Sequence, residues 1–68
     1  MNGKIKISLS SPAGNAFSIM GQASKTGKEL EMSTEQVNDI ITDMRSSDYE
    51  NLLSVFERHF GEYFEFVD

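Results

Sequence analysis

The sequence predicts an α+β fold of β-α-α-α-β order, with two terminal strands that pair and three helices packed on one face of the ribbon. Three observations carry this expectation. Residues Lys4 to Ser10 alternate apolar and polar side chains, three central stretches repeat apolar residues at helical spacing behind cap signals, and the chain ends in the β-prone run Tyr63-Phe64-Glu65-Phe66-Val67. A chain of 68 residues makes one domain, 1–68, and buries only about 60% of the surface its unfolded form exposes. Disulfides and a zinc site are excluded as supports, because there is no Cys and a single His. Five Phe, two Tyr and four Met are generous for so small a core, so self-association is expected to cover the surplus.

The first strand places Ile5, Ile7 and Leu9 on one face and Lys4, Lys6 and Ser8 on the other. Ser11-Pro12-Ala13-Gly14 then reads as a turn, with Asn15 as cap of the first helix. Alternatively Pro12 is the first helical residue and Ser11 the cap. Ala16, Ile19, Met20, Ala23, Gly27 and Leu30 form the apolar stripe of that helix. Its small residues Gly21, Ala23, Ser24 and Gly27 point to close approach by another backbone, and Thr26-Gly27 makes its end doubtful.

The second helix starts at the capping box Ser33-Thr34-Glu35-Gln36, with Met32 placed to staple onto Val37. Val37, Ile40, Ile41 and Met44 form its inner stripe, and Asp39 and Asp43 point to solvent. Ser47-Asp48-Tyr49-Glu50 reads as a second capping box after the link Arg45-Ser46. The third helix turns Tyr49, Leu52, Leu53, Phe56 and Phe60 inward, carries Arg58 and His59 near its negative end, and stops at Gly61. In the paired ribbon Glu65 is expected to face Lys4 or Lys6.

Charge divides along the chain. The first 28 residues hold four lysines and no acid, whereas residues 29–68 hold two arginines against eleven acids, a net of −9. Such polarity can present a cationic face to anions and an acidic face to another partner. A net charge of −5 without a Lys/Arg stripe argues against direct nucleic-acid binding. There is no run of 18 apolar residues, and the start Met1-Asn2-Gly3-Lys4 has no apolar stretch behind it, so the expectation is a cytoplasmic protein with neither signal peptide nor membrane span.

Catalysis is not expected. His59 has no nucleophile or orienting group at readable spacing, and no cofactor motif occurs. Asp39 with Asp43 lacks the further ligands of a metal site, so no metal is assigned. The candidate ligand site is the turn that opens the first helix, where unpaired backbone N–H groups and the helix dipole favour an anion. Gly14 would let a phosphate approach, Asn15 and Ser18 would add hydrogen bonds, and Lys4, Lys6 and Arg58, or else Arg45, would add charge. The alternative is a protein-binding acidic face made of Glu35, Asp39, Asp43 and Glu57, able to imitate a nucleic-acid backbone.

The stretches Ser11-Pro12-Ala13-Gly14-Asn15-Ala16-Phe17-Ser18-Ile19-Met20-Gly21 and Ser47-Asp48-Tyr49-Glu50-Asn51-Leu52-Leu53 through His59-Phe60-Gly61 resemble a group of small accessory proteins of tailed phages. The group carries no assigned reaction. The resemblance implies a gene product acting in the cytoplasm of an infected bacterium, against host defence or a host enzyme. Combined with the residues, the leading expectation is a homo-oligomer that sequesters a small anionic, nucleotide-like signal. The alternative expectation is an acidic inhibitor of a host defence or nucleic-acid enzyme.

Overall fold

The computed structural model describes residues 4–68 and has the expected order: β1 spans Ile5–Ser8, α1 Ala16–Glu29, α2 Thr34–Met44, α3 Tyr49–Phe60 and β2 Phe64–Val67. Met1, Asn2 and Gly3, on which the expectation of a leader-free start rests, lie outside the described residues. No helix among the described residues is long and apolar enough to cross a membrane.

The two terminal strands pair in parallel, with Ile5 opposite Phe64, Lys6 opposite Glu65, Ile7 opposite Phe66 and Ser8 opposite Val67. Parallel strands need a long crossover rather than a tight turn, and here the three helices are that crossover. Alternation turns Ile7, Phe64 and Phe66 towards the helices and leaves Lys6 and Glu65 on the bare face. β1 is shorter than the alternation of Lys4 to Ser10 suggests. Ser11 directs both its N–H, at 3.2 Å, and its hydroxyl, at 2.8 Å, to the Ser8 carbonyl, which bends the chain out of the strand.

The Pro12 start and the Asn15 cap, open alternatives in the sequence, coexist. Pro12–Gly14 winds into a short 3-10 turn, and Asn15 Oδ1 then accepts from the Ser18 N–H at 2.8 Å to cap α1. α1 continues without a break through Thr26-Gly27 to Glu29. A Cβ on Gly27 would stand 2.6 Å from Val37 Cγ2, so α2 packs directly on this stretch of α1. The close approach by another backbone expected of the small residues is not found: Gly27 makes room for the Val37 side chain, and nothing lies within 4 Å of a Cβ on Gly21.

α1 ends in a Schellman motif. The Met32 N–H donates to the Gly27 carbonyl at 2.9 Å and the Glu31 N–H to the Lys28 carbonyl at 3.0 Å. Glu31 holds the left-handed position with φ 64°, a conformation that costs a residue with a Cβ about 1–2 kcal/mol. Glu31→Gly is expected to stabilise the fold by about 0.5–1 kcal/mol, after allowing for the extra freedom of glycine in the unfolded chain. A higher urea midpoint at an unchanged m-value is the result that checks it.

The capping box of α2 is present, with Gln36 N–H donating to Ser33 Oγ at 3.0 Å and Ser33 N–H donating to Gln36 Oε1 at 2.9 Å. The second expected box is corrected: Asp48, not Ser47, caps α3, its carboxylate accepting from the Asn51 N–H at 2.9 Å. A carboxylate at the positive helix end is the stronger acceptor. Asn51 then reaches back with Nδ2 to the Asp43 carbonyl at 3.0 Å, tying the start of α3 to the end of α2. α3 does stop at Gly61, but with φ −63°, so the stop uses no left-handed residue.

The core gathers Ile7, Ile19, Ala23, Ile40, Met44, Leu52, Val55, Phe56, Phe60 and Phe64. Phe56 is at its centre, with ring centroids 5.3 Å from Phe60, 5.3 Å from Phe64 and 5.7 Å from Phe66. Val55 joins the core although the predicted stripe omitted it, and Tyr49, predicted inside, is 40% exposed. Its hydroxyl donates to the Gly14 carbonyl, and this contact holds the start of α3 against the turn before α1.

Candidate functional site

At the turn before α1, where an anion cradle was expected, the N–H groups of Gly14, Asn15 and Ser18 are engaged within the turn. Gly14 N–H donates to the Ser11 carbonyl at 2.9 Å, Asn15 N–H to the Pro12 carbonyl at 3.3 Å, and Ser18 N–H to Asn15 Oδ1 at 2.8 Å. Asn15 Nδ2 also bonds the Pro12 carbonyl, at 2.8 Å. Gly14 is buried, and a Cβ there would stand 2.6 Å from both Leu9 Cα and the Ser8 carbonyl oxygen. Glycine at this position lets the turn pack on the end of β1.

The charges assigned to the cradle are also dispersed. Lys6 lies beside Glu65 in the ribbon register, and Lys4 precedes β1 at the far end from Gly14, on the order of 13 Å from Ser8 along an extended chain. Arg58 stands 4.0 Å from Asp43, roughly 13 Å along α3 from Tyr49. Pairing the chain ends sets the basic β1 beside the acidic β2, so the polarity of the sequence becomes interleaved in space.

The acidic set divides as well. Glu35, Asp39 and Asp43 are exposed and follow one stripe of α2 at four-residue steps. Asp39 shares a groove with His59, whose ring lies 6.2 Å from that of Phe60. Glu57 lies a hundred degrees or so around α3 from Arg58, on the flank away from α2, and does not extend the stripe. Among the described residues no third carboxylate or imidazole joins Asp39 and Asp43 in a metal-binding group.

A different set of residues comes together one turn further along α1. An open groove of about 310 Å³ runs between the first two turns of α1 and the α2–α3 link. Met20, Met44 and Leu52 line its apolar part, Phe17 and Tyr49 supply aromatic rings, and Arg45, Ser47 and Asp48 supply polar groups. Phe17 is 83% exposed, the most exposed of the large apolar side chains. Arg45 is exposed and, among the described residues, has no carboxylate within 4.0 Å, the distance at which Arg58 meets Asp43. The N–H groups of Ala16 and Phe17 lie in the first helical turn, where no intrahelical acceptor exists. An aromatic face, a guanidinium and a hydroxyl on one groove suit a planar ring that carries negative charge, with the Asp48 carboxylate, which accepts from the Asn51 N–H, as the opposing charge.

Sequence reasoning named Arg45 only as an alternative charge and missed Phe17, Ser47 and Tyr49 as lining residues. One signal for Phe17 was available. The stripe Ala16, Ile19, Met20, Ala23 leaves Phe17 on the outer side of α1, and a phenyl ring at a solvent-facing position is surplus to the core.

Comparison with known proteins finds no matching family model, no similar curated protein and no similar solved structure.

Proposed function

We propose that the protein is a non-enzymatic binder that sequesters a small anionic aromatic ligand of nucleotide type in the groove between α1 and the α2–α3 link. The observation that carries this reading is the exposure of Phe17 beside the unpaired Arg45 in that groove. A base stacks on the phenyl ring, and a phosphate meets the guanidinium and the Ser47 hydroxyl. The net charge of −5 opposes an anion only weakly at distance, since exposed charges are screened beyond about 8 Å at physiological salt. The setting implied by the resemblance, the cytoplasm of an infected bacterium, makes a host nucleotide signal the ligand and counter-defence the role.

Native mass spectrometry of protein purified gently from bacteria with an active nucleotide-signalling defence is expected to carry a nucleotide-sized adduct that is lost on denaturation. Base–aromatic stacking contributes about 1–3 kcal/mol, so Phe17→Ala is expected to weaken binding by about fivefold to 150-fold. Arg45→Ala acts in the same direction, and both variants keep native stability because both side chains are exposed. A chain free of adduct while the signal is demonstrably made would refute the reading.

A second reading rests on the stripe of Glu35, Asp39 and Asp43 on α2, which fits a basic surface on a host protein. Protein–protein binding that collapses between low and high salt distinguishes it from a nucleotide adduct.

A further inference from the structure

Three of the exposed large apolar side chains, Ile5 at 61%, Leu30 at 43% and Tyr63 at 41%, border a second groove of about 300 Å³. It lies where the ribbon begins, against the C-terminal half of α1. Lys25 and Glu29 line it too, one turn apart on the same flank of the helix. Among the described residues neither has an opposite charge within 4.0 Å.

We infer that this groove and the adjoining flank of α1 form an isologous homodimer interface, occupied by a second copy of this chain. The charges select the occupant. A two-fold axis crossing α1 between Lys25 and Glu29 lays the helix antiparallel on its copy, so that Lys25 of each chain meets Glu29 of the other. One cation and one anion astride such an axis are self-complementary, whereas a partner of single-sign charge would set one of them against its like. Ile5, Leu30 and Tyr63 supply the apolar part, clustered as at interaction sites rather than scattered singly. A standard interface takes about 800 Å² per partner, on the order of a sixth of the 4586 Å² exposed by this chain. The contact therefore extends beyond the groove along the flank that carries Gln22, Lys25 and Glu29. Phe17 lies about 20 Å along α1 from Leu30, so the dimer leaves the ligand groove open, and failure of either idea is readable without the other.

Sedimentation velocity over a wide range of protein concentration tests this. The native chain is expected to show a reversible monomer–dimer equilibrium. Lys25→Glu and Glu29→Lys are each expected to raise the dissociation constant about tenfold, because the symmetry axis doubles every altered pair. The double variant Lys25→Glu/Glu29→Lys, which restores opposite charges across the axis, is expected to return it close to the native value. Ile5→Ser weakens the dimer while circular dichroism reports an unchanged fold. A native chain that stays monomeric, with the groove left to a different protein, overturns the proposal. So does a dimer indifferent to both single reversals, or a double variant that fails to recover.

Discussion

Phe56→Ala is expected to leave the chain largely unfolded in water at 25 °C. Phe56 is fully buried, and its ring meets Phe60 in its own helix as well as Phe64 and Phe66 on β2. It is thus the side chain through which the last helix holds the second strand. Truncating a buried Phe to Ala costs about 3–5 kcal/mol in lost burial and cavity formation. A chain of 68 residues has about 3–10 kcal/mol of stability in total, and a fold without disulfides and with one half-covered ribbon belongs towards the lower end. Far-UV circular dichroism across a urea series checks the outcome. Phe56→Leu, which keeps an apolar side chain in the space, is expected to fold cooperatively with a lower midpoint. A native-like midpoint for Phe56→Ala would show that the aromatic cluster is not the centre of the core.

What the sequence disclosed follows the range of the interactions involved. The Ser33–Gln36 box and the Asn15 cap are settled within a few residues and stand in the structure, whereas of the apolar face Ile5, Ile7 and Leu9 the strand buries Ile7 and leaves Ile5 exposed. The cap of α3 was displaced by one residue, because Ser47 and Asp48 are both good caps and nothing in the sequence signals that the carboxylate, the stronger acceptor at a helix start, takes the place. Val55 was omitted from the inner stripe of α3 although Leu52, Val55 and Phe56 stand at helical spacing, and it is buried with them in the core. The parallel sense of the ribbon depends on how three helices return the chain to its start, which no local pattern states. The same long-range pairing sets Lys6 opposite Glu65, as expected of the paired ribbon, and so brings the basic and acidic ends of the chain together. At the turn before α1 the glycine and the cap were correctly located, and the N–H groups of Gly14, Asn15 and Ser18 bond within the turn, which the sequence does not state. The groove with Phe17 and Arg45 joins residues from two distant segments, which the shared core of Ile19, Met44 and Leu52 and the contact of Tyr49 with the Gly14 carbonyl bring together.

Gly14→Ala is expected to cost at least about 1–3 kcal/mol, the usual range for atoms forced into a packed site. The added Cβ would lie 2.6 Å from Leu9 Cα, 2.6 Å from the Ser8 oxygen and 2.8 Å from the Leu9 oxygen. These are backbone atoms, so no side-chain rotation relieves the clash and the whole 3-10 turn must move off the end of β1. That movement pulls the Gly14 carbonyl from the Tyr49 hydroxyl and shifts the start of α1, which carries Phe17. A lowered urea midpoint is therefore expected together with weaker nucleotide binding by the molecules that remain folded. Phe17→Ala gives the contrasting pattern, in which binding falls and the midpoint stays. The pair of variants separates the two placements of the ligand. If Gly14 served to admit a phosphate, the alanine variant would unfold at the native midpoint and lose only binding, and the site would return to the turn.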